Sequence, residues 1–202
     1  SSIKALAYQL YENNGVLKRE NVADYLKNLE QSERKILREL GVKFGRYHVF
    51  LHRLIKPEAV SLRTLLWKNH NQKYFNLKPP TFGLNFLEDK NTKNKNFMLL
   101  CGFEKFENFF VRIDILERLF VQIINVTSDK EKEIKMTPEM LNLLGCSKEN
   151  FKKLIKYMDY KVTEKNSDVF FKYKPQKNKK KSFEKKDKKE SPFKILKNLS
   201  FN

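Results

Sequence analysis

The sequence has 202 residues, of which 40% are hydrophobic, and a formal net charge of +18 at pH 7. This length can bury the core of one large domain or of two small ones. No run of about 18 apolar residues occurs, which argues against a membrane-spanning helix. A charge this positive favours a polyanionic partner, and phosphate backbones are the commonest polyanions. The start at Ser1 has neither an initiating Met nor the pattern of a signal peptide, so we expect a fragment.

The two cysteines, Cys101 and Cys146, lie far apart, and neither has a second cysteine two to four residues away. That spacing is wrong for a zinc knuckle and for a disulfide framework. Each lies in an apolar stretch beside a glycine. We therefore expect small, buried thiols in the reducing cytoplasm.

Residues 1–70 are predicted to form a helical unit with a short β segment. Apolar residues at helical spacing predict helices over 3–12, 20–29 and 32–40, the last capped by Ser32. The pattern then changes to alternation, which predicts two short strands around the turn at Gly45-Arg46. Pro57 is predicted to begin the next helix, which continues to Trp67.

The polar segment 71–96 has few periodic positions and is predicted to be a linker. Residues 97–174 are predicted to form an α+β unit that resembles a winged helix. Thr137-Pro138 and Ser147 begin two helices separated by Gly145, and an alternating hairpin follows. Helix, tight turn, helix and hairpin is the outline of a winged helix-turn-helix.

Residues 175–202 are predicted to be a disordered, lysine-rich tail. From Lys174 onward there are eleven lysines but only three acidic residues. Ser191-Pro192 indicates a short terminal helix that would order on a partner or dock back onto the protein. Its partner-binding side chains would be Phe193, Ile195, Leu196 and Leu199.

The sequence contains no assembled set of catalytic residues. It has no glycine-rich phosphate loop, and no serine or cysteine stands in a recognisable nucleophile motif. His48 and His52 are four residues apart, but they lie in an alternating stretch without a third ligand. We expect no catalytic residue, no metal site and no cofactor in this chain.

Cations and aromatic residues alternate around the first predicted turn. Single-stranded RNA could be bound through phosphate contacts and base stacking by Lys43, Arg46, Tyr47 and His48, in a constellation that also includes Phe44, Phe50, Arg53 and Lys56. The alternative is that the aromatic side chains belong to the core while the charges are solvated, because alternation buries every second side chain.

A second cluster lies on the last predicted helix. Lys152, Lys153 and Lys156, preceded by Lys148, would suit a phosphate backbone. The alternative is a solvated lysine face on a small packed unit.

Four ordered segments resemble one family: Ala5–Leu10, Leu40–Leu51, Val111–Leu119 and Thr137–Met140. They are similar to the C-terminal region of bacterial helicase-related proteins akin to the mitochondrial degradosome RNA helicase, a DExH-type, ATP-dependent enzyme of superfamily two. These segments are spread along most of the chain, from Ala5 to Met140. The motor domains that bind ATP and Mg²⁺ have no counterpart in this sequence.

The resemblance implies an accessory, RNA-binding or scaffolding region that works with helicase motor domains on the same polypeptide. The expected fold is α+β and mainly helical, and single-stranded RNA is the expected ligand. One alternative is a protein-interaction module that recruits a ribonuclease without touching RNA. Another is a stand-alone DNA-binding regulator.

Overall fold

The computed structural model describes residues 2–89, 94–126, 133–166 and 168–174. The chain is α+β and mainly helical, as predicted. The predicted tail, 175–202, lies outside the described residues. Within the described ranges, no helix combines the length and the apolar character that crossing a bilayer requires.

The helices and strands are short and alternate along the chain. The helices are α1 (Ser2–Glu12), α2 (Ala23–Lys27), α3 (Gln31–Glu39), α4 (Pro57–His70), α5 (Lys95–Leu100), α6 (Ile113–Val126), α7 (Pro138–Leu144) and α8 (Lys148–Tyr157). The strands are β1 (Val16–Lys18), β2 (Val42–Phe44), β3 (His48–Leu51), β4 (Phe86–Glu88), β5 (Phe103–Lys105), β6 (Phe109–Arg112), β7 (Ile134–Lys135), β8 (Tyr160–Lys165) and β9 (Asp168–Tyr173). Single 3-10 turns occupy Arg19–Val22, His52–Ile55 and Gln72–Tyr74.

The strands form three antiparallel sheets, each of three strands, with the orders β1-β3-β2, β4-β6-β5 and β7-β9-β8. In every sheet the last two strands form a hairpin, and the first strand pairs with the last one. We call the sheets and their helices the first unit (2–55), the second unit (57–112) and the third unit (113–173). The predicted boundaries at 70 and 97 differ from those of these units, because Val60 on α4 packs with Phe97 on α5 and the hairpin β5–β6 pairs with β4.

The third unit has the order helix, strand, two helices and hairpin. The sequence predicted its last two helices and its hairpin but not β7. Its first helix is α6. The first unit has the same order, from α1 through β3. The sequence predicted its hairpin but not β1, because three residues are too few to establish an alternating pattern.

The predicted linker, 71–96, is corrected by the structure. It contains β4, which pairs with β6 through Phe86 and Val111, and Leu77 packs against the core around Phe97. Residues 86–88 therefore belong to the second sheet, and Leu77 belongs to the core of the second unit. The residues around Phe86-Leu87 are polar, so the sequence shows no alternating pattern from which so short a strand could be predicted.

Side-chain caps fix several helix ends. α8 begins as predicted at Ser147, whose hydroxyl accepts a hydrogen bond from the Asn150 N–H at 3.2 Å. The predicted cap of α3 was wrong: Glu30 rather than Ser32 precedes the helix. Glu30 and Glu33 form a reciprocal capping box in which each side chain accepts from the other's backbone N–H.

The three units pack against one another. The largest core cluster surrounds α6 in the third unit, and Tyr47, Phe86 and Phe106 from the other two units pack against it. A smaller cluster joins the first and third units through Phe50 and Ile113. The position of α6 is therefore fixed by contacts with all three units.

Gly102 lies between α5 and β5 with φ = +84°, and a Cβ there would come within 2.8 Å of Ile55 Cγ2. Gly41 has φ = +94° at the equivalent place before β2 but open space around it. We expect Gly41→Ala to cost about 1 kcal/mol of backbone strain. Gly102→Ala should cost roughly 1–3 kcal/mol more, because it also overpacks the core. Urea unfolding of both variants tests this, and equal losses would contradict the packing contribution.

Candidate nucleic-acid interface

The turn between β2 and β3 is fixed to α6 by one carboxylate. Glu117 on α6 accepts hydrogen bonds from the backbone N–H groups of Arg46, Tyr47 and His48, at 2.6, 2.9 and 2.8 Å. A Cβ on Gly45 would clash with this carboxylate, so the turn requires glycine for its close approach. The carboxylate thus joins the first unit to the third.

The His48 side chain lies in the interior, where it is 2% exposed. Its Nδ1 is 3.2 Å from Glu117 Oε1, and its Nε2 is 3.4 Å from Glu104 Oε2 on β5. The predicted RNA contact by His48 is therefore corrected. Both ring nitrogens face carboxylates, and the ring connects all three units.

These contacts shift the protonation equilibria of the buried groups. Burial lowers the pKa of His48, but hydrogen bonds to Glu104 and Glu117 and their charges outweigh burial and raise it above its usual 6.5. Burial raises the pKa of Glu104, but hydrogen bonds from His48 and Lys18 bring it below its usual 4.5. Lys18 Nζ lies 2.8 Å from Glu104 Oε1. The cluster therefore stabilises the protonated form of His48 and the ionised form of Glu104.

Arg46 is exposed and surrounded by aromatic rings from two units. Its guanidinium carbon is 5.1 Å from the ring centre of Phe120, 5.2 Å from that of Tyr173 and 6.0 Å from that of Tyr47. The Tyr47 hydroxyl donates to the Met158 carbonyl at 3.2 Å. These cation–π contacts hold the guanidinium at the junction of the first and third units.

A groove of about 840 Å³ runs between the β2–β3 hairpin and α6. Its exposed cations are Lys43 and Arg46 on the hairpin and Arg118 on α6. Its apolar surface includes Val121 and Ile124, which are 57% and 53% exposed. The groove therefore combines positive charge with apolar side chains along one wall.

A second cavity, of about 410 Å³, is lined in part by the same turn. Residues of all three units line it, among them Lys18 from the first, Glu104 and Phe106 from the second and Tyr157 from the third. It shares Arg19, Arg46 and Tyr47 with the groove. The two cavities are thus neighbours. We call them the groove and the pocket.

The predicted lysines of α8 do not line the groove. Lys153 and Lys156 are exposed, whereas Lys152 forms an ion pair with Glu164 on β8, with Nζ and Oε1 2.9 Å apart. The end of α8 contributes Tyr157 to the pocket instead. The predicted partner-binding residues Phe193, Ile195, Leu196 and Leu199 lie outside the described residues.

The described part of the chain contains no group of three or more His, Cys, Asp or Glu side chains arranged for a metal ion. Burial lowers the pKa of His52 at the groove, and the charge of Lys56 lowers it further. Burial raises the pKa of Cys101 to about 12 and that of Cys146 to about 11, so neither thiol is activated.

Sequence reasoning missed Glu104 and Glu117, the two acids that organise the site. For Glu117 a signal existed, because it follows Ile113 by four residues and precedes Phe120 by three, which places it in the apolar stripe of α6. Glu104 gave no such signal, since its strand neighbour Phe103 is buried as well.

A scan against protein-family models finds no match for this chain, and a search of curated proteins finds none either. The geometry and charge of the groove and the pocket are therefore the basis of the functional proposals.

Replacing Glu117 by Gln should lower the free energy of unfolding by roughly 2–3 kcal/mol, because charge-assisted hydrogen bonds are lost and the amide nitrogen cannot accept. Urea unfolding measures this change. The matched control is Glu39→Gln, an exposed residue at the end of α3, which should change stability little. Equal effects of the two changes would show that the turn is held by other contacts.

The buried cluster should also make stability depend on pH. The raised pKa of His48 stabilises the folded state below about 6.5, and this contribution is lost as pH rises through the folded-state pKa. The lowered pKa of Glu104 stabilises it above about 4.5, and this is lost as pH falls through the folded-state pKa. Stability should fall more steeply above neutral pH in the wild type than in His48→Gln. Urea unfolding at several pH values measures this difference. If the free energy of unfolding depends on pH in the same way in both proteins, His48 is not the cause of the loss.

Proposed function

We propose that this chain binds single-stranded RNA in the groove between the β2–β3 hairpin and α6. The observation that carries the proposal is the arrangement of Lys43, Arg46 and Arg118 at an open groove with an apolar wall. Two of these three cations, Lys43 and Arg46, were predicted from the sequence. Arg118 comes from the opposite wall, so a strand in the groove would meet positive charge on both sides.

The acidic residues of the groove are already paired. Asp114 accepts two hydrogen bonds from Arg112, from Nε at 2.7 Å and from a terminal nitrogen at 2.8 Å. Glu117 is occupied by the turn and by His48. The unpaired charge facing the groove is therefore positive, which favours phosphate.

The apolar wall favours a single strand over a duplex. Val121 and Ile124 are more than half exposed, and Phe44 lies across the groove on β2. Unpaired nucleotides present base faces and sugars that can contact such side chains, whereas a duplex presents mainly its phosphate backbone. Lys153 and Lys156 on α8 would add non-specific attraction.

We also propose the kind of polypeptide in which this RNA binding takes place. The ordered resemblance of four segments supports an accessory region of an ATP-dependent RNA helicase, which would guide RNA to motor domains on the same polypeptide. ATP and Mg²⁺ would bind those motor domains. The two free, unactivated cysteines agree with a cytoplasmic protein.

Fluorescence anisotropy with a short, labelled oligouridine tests the groove. Lys43→Gln and Arg118→Gln should each weaken binding about fivefold, roughly 1 kcal/mol, at moderate salt. Each should reduce the slope of log Kd against log salt by about 0.7, the value for one phosphate contact on a single strand. Duplex RNA should bind more weakly than the oligouridine.

Matched controls are Lys27→Gln and Arg53→Gln, exposed cations of the first unit that do not line the groove. They should leave the affinity nearly unchanged. The same series on the chain ending at Lys174 separates the groove from the tail lysines. Equal losses for control and groove variants, or binding that disappears with the tail, would overturn the groove as the RNA site.

A further inference from the structure

The pocket beside the groove holds a charged pair in an aromatic setting. Glu104 is 5% exposed and is one of the residues that line the pocket, and Lys18 Nζ lies 2.8 Å from Glu104 Oε1. The Lys18 side chain is 45% exposed. A hydrogen-bond acceptor with negative charge and a donor with positive charge therefore stand side by side in the pocket.

Aromatic side chains form the walls. Phe106 and Tyr157 have ring centres 5.9 Å apart, and Tyr157 remains 46% exposed. The hydroxyl of Tyr157 donates to Glu107, which fixes its ring. The volume, about 410 Å³, lies in the range of roughly 300–1,000 Å³ typical of small-ligand sites. A planar, aromatic ligand would suit these walls.

We propose that the pocket binds a guanine base. Among the bases, guanine presents two adjacent donors, N1–H and the exocyclic amine, beside the acceptor O6 on its Watson–Crick edge. A carboxylate has about four lone-pair sites, of which Lys18 and His48 use one on each oxygen, so Glu104 can accept from both guanine donors through the remaining ones. The Lys18 ammonium can donate to O6, and Phe106 or Tyr157 can cover a base face.

The other bases match this pair less well. Adenine has an acceptor at N1 where the carboxylate needs a donor. Cytosine has an acceptor beside its amine. Uracil has one donor flanked by two acceptors, of which one would face the carboxylate. A carboxylate left facing an acceptor loses its hydrogen bond and is repelled, which is how buried polar groups produce selectivity.

This inference deepens the proposed RNA binding and rests on it. The groove and the pocket share Arg19, Arg46 and Tyr47, so a strand held in the groove could place one unstacked base in the pocket. The source of the guanine would be a nucleotide of the bound strand. A free guanine nucleotide has the same base, and the experiment separates the two sources.

The test measures binding of the full chain to oligouridines that carry one central guanosine, inosine or adenosine. Guanosine should bind about tenfold or more tighter than adenosine, the discrimination of a good bidentate base contact. Inosine, which lacks the exocyclic amine, should fall between them. Lys18→Gln and Tyr157→Ala should reduce the guanosine preference to about threefold or less.

The controls use side chains of the same type outside the pocket. Lys27 and Tyr11 are exposed, so the variants Lys27→Gln and Tyr11→Ala should keep the full preference for guanosine. Lys43→Gln in the groove should weaken all three strands equally. Tyr157 and Lys18 are exposed enough that their variants should stay folded, which circular dichroism checks. A second arm titrates guanosine monophosphate against ¹⁵N-labelled chain and follows the amide signals of Lys18 and Tyr157.

The outcomes separate the two proposals. A guanosine preference that the pocket variants abolish supports the pocket. RNA binding without any base preference overturns the pocket and leaves the groove standing. Absence of RNA binding overturns the proposed function and, with it, an RNA base as the ligand. If guanosine monophosphate then shifts the amide signals of Lys18 and Tyr157, the guanine site stands with a free nucleotide as its ligand. If these signals do not move, the guanine site is overturned as well.

Discussion

The Glu117 carboxylate is the contact on which the relative position of the units depends. It is a charged group that is only 8% exposed, and such a group is costly unless donors surround it. Three consecutive backbone N–H groups and the His48 ring provide those donors, and all of them belong to the first unit. The carboxylate therefore pulls the β2–β3 turn onto α6. Glu117, Gly45 and Arg46 line the groove, and Arg46, Tyr47 and His48 line the pocket, so the shape of both cavities depends on this contact.

The same contacts explain why positive charge faces the groove in a chain whose net charge is +18. Several acidic side chains form ion pairs within the structure. Glu104 pairs with Lys18 and His48, and Asp89 pairs with Lys105, with Oδ2 and Nζ 2.7 Å apart. Acids that are paired internally do not screen the exposed cations around them. The positive charge at the groove thus follows from where the acids are buried as much as from the number of lysines.

Hairpins were predictable from the sequence, whereas the strands that complete the sheets were not. The hairpins β2–β3 and β8–β9 were predicted because their strand segments alternate on either side of a recognisable turn. The first strand of each sheet, β1, β4 or β7, has only two or three residues, and its pairing depends on a partner distant in sequence. At the site, Lys43, Arg46 and Tyr47 were found because cations beside aromatic rings are visible locally. Arg118 and Glu104 were missed because only the packing of the units brings them to the turn.

The repeated topology has a consequence for where function can arise. The middle unit has only α5 between its first strand and its hairpin, whereas the outer units have two helices there. Neither the groove nor the pocket lies within one unit: the groove is formed by the hairpin of the first and α6 of the third, and the pocket is lined by residues of all three. Binding at either cavity should therefore respond to the angle between units more than to changes within one unit. A ligand that spans the groove contacts both sides of the Glu117 junction, so it would bind most tightly when that junction is intact. The buried His48–Glu117 contact would then influence affinity by holding the two walls of the groove in place, without donating a hydrogen bond to the ligand.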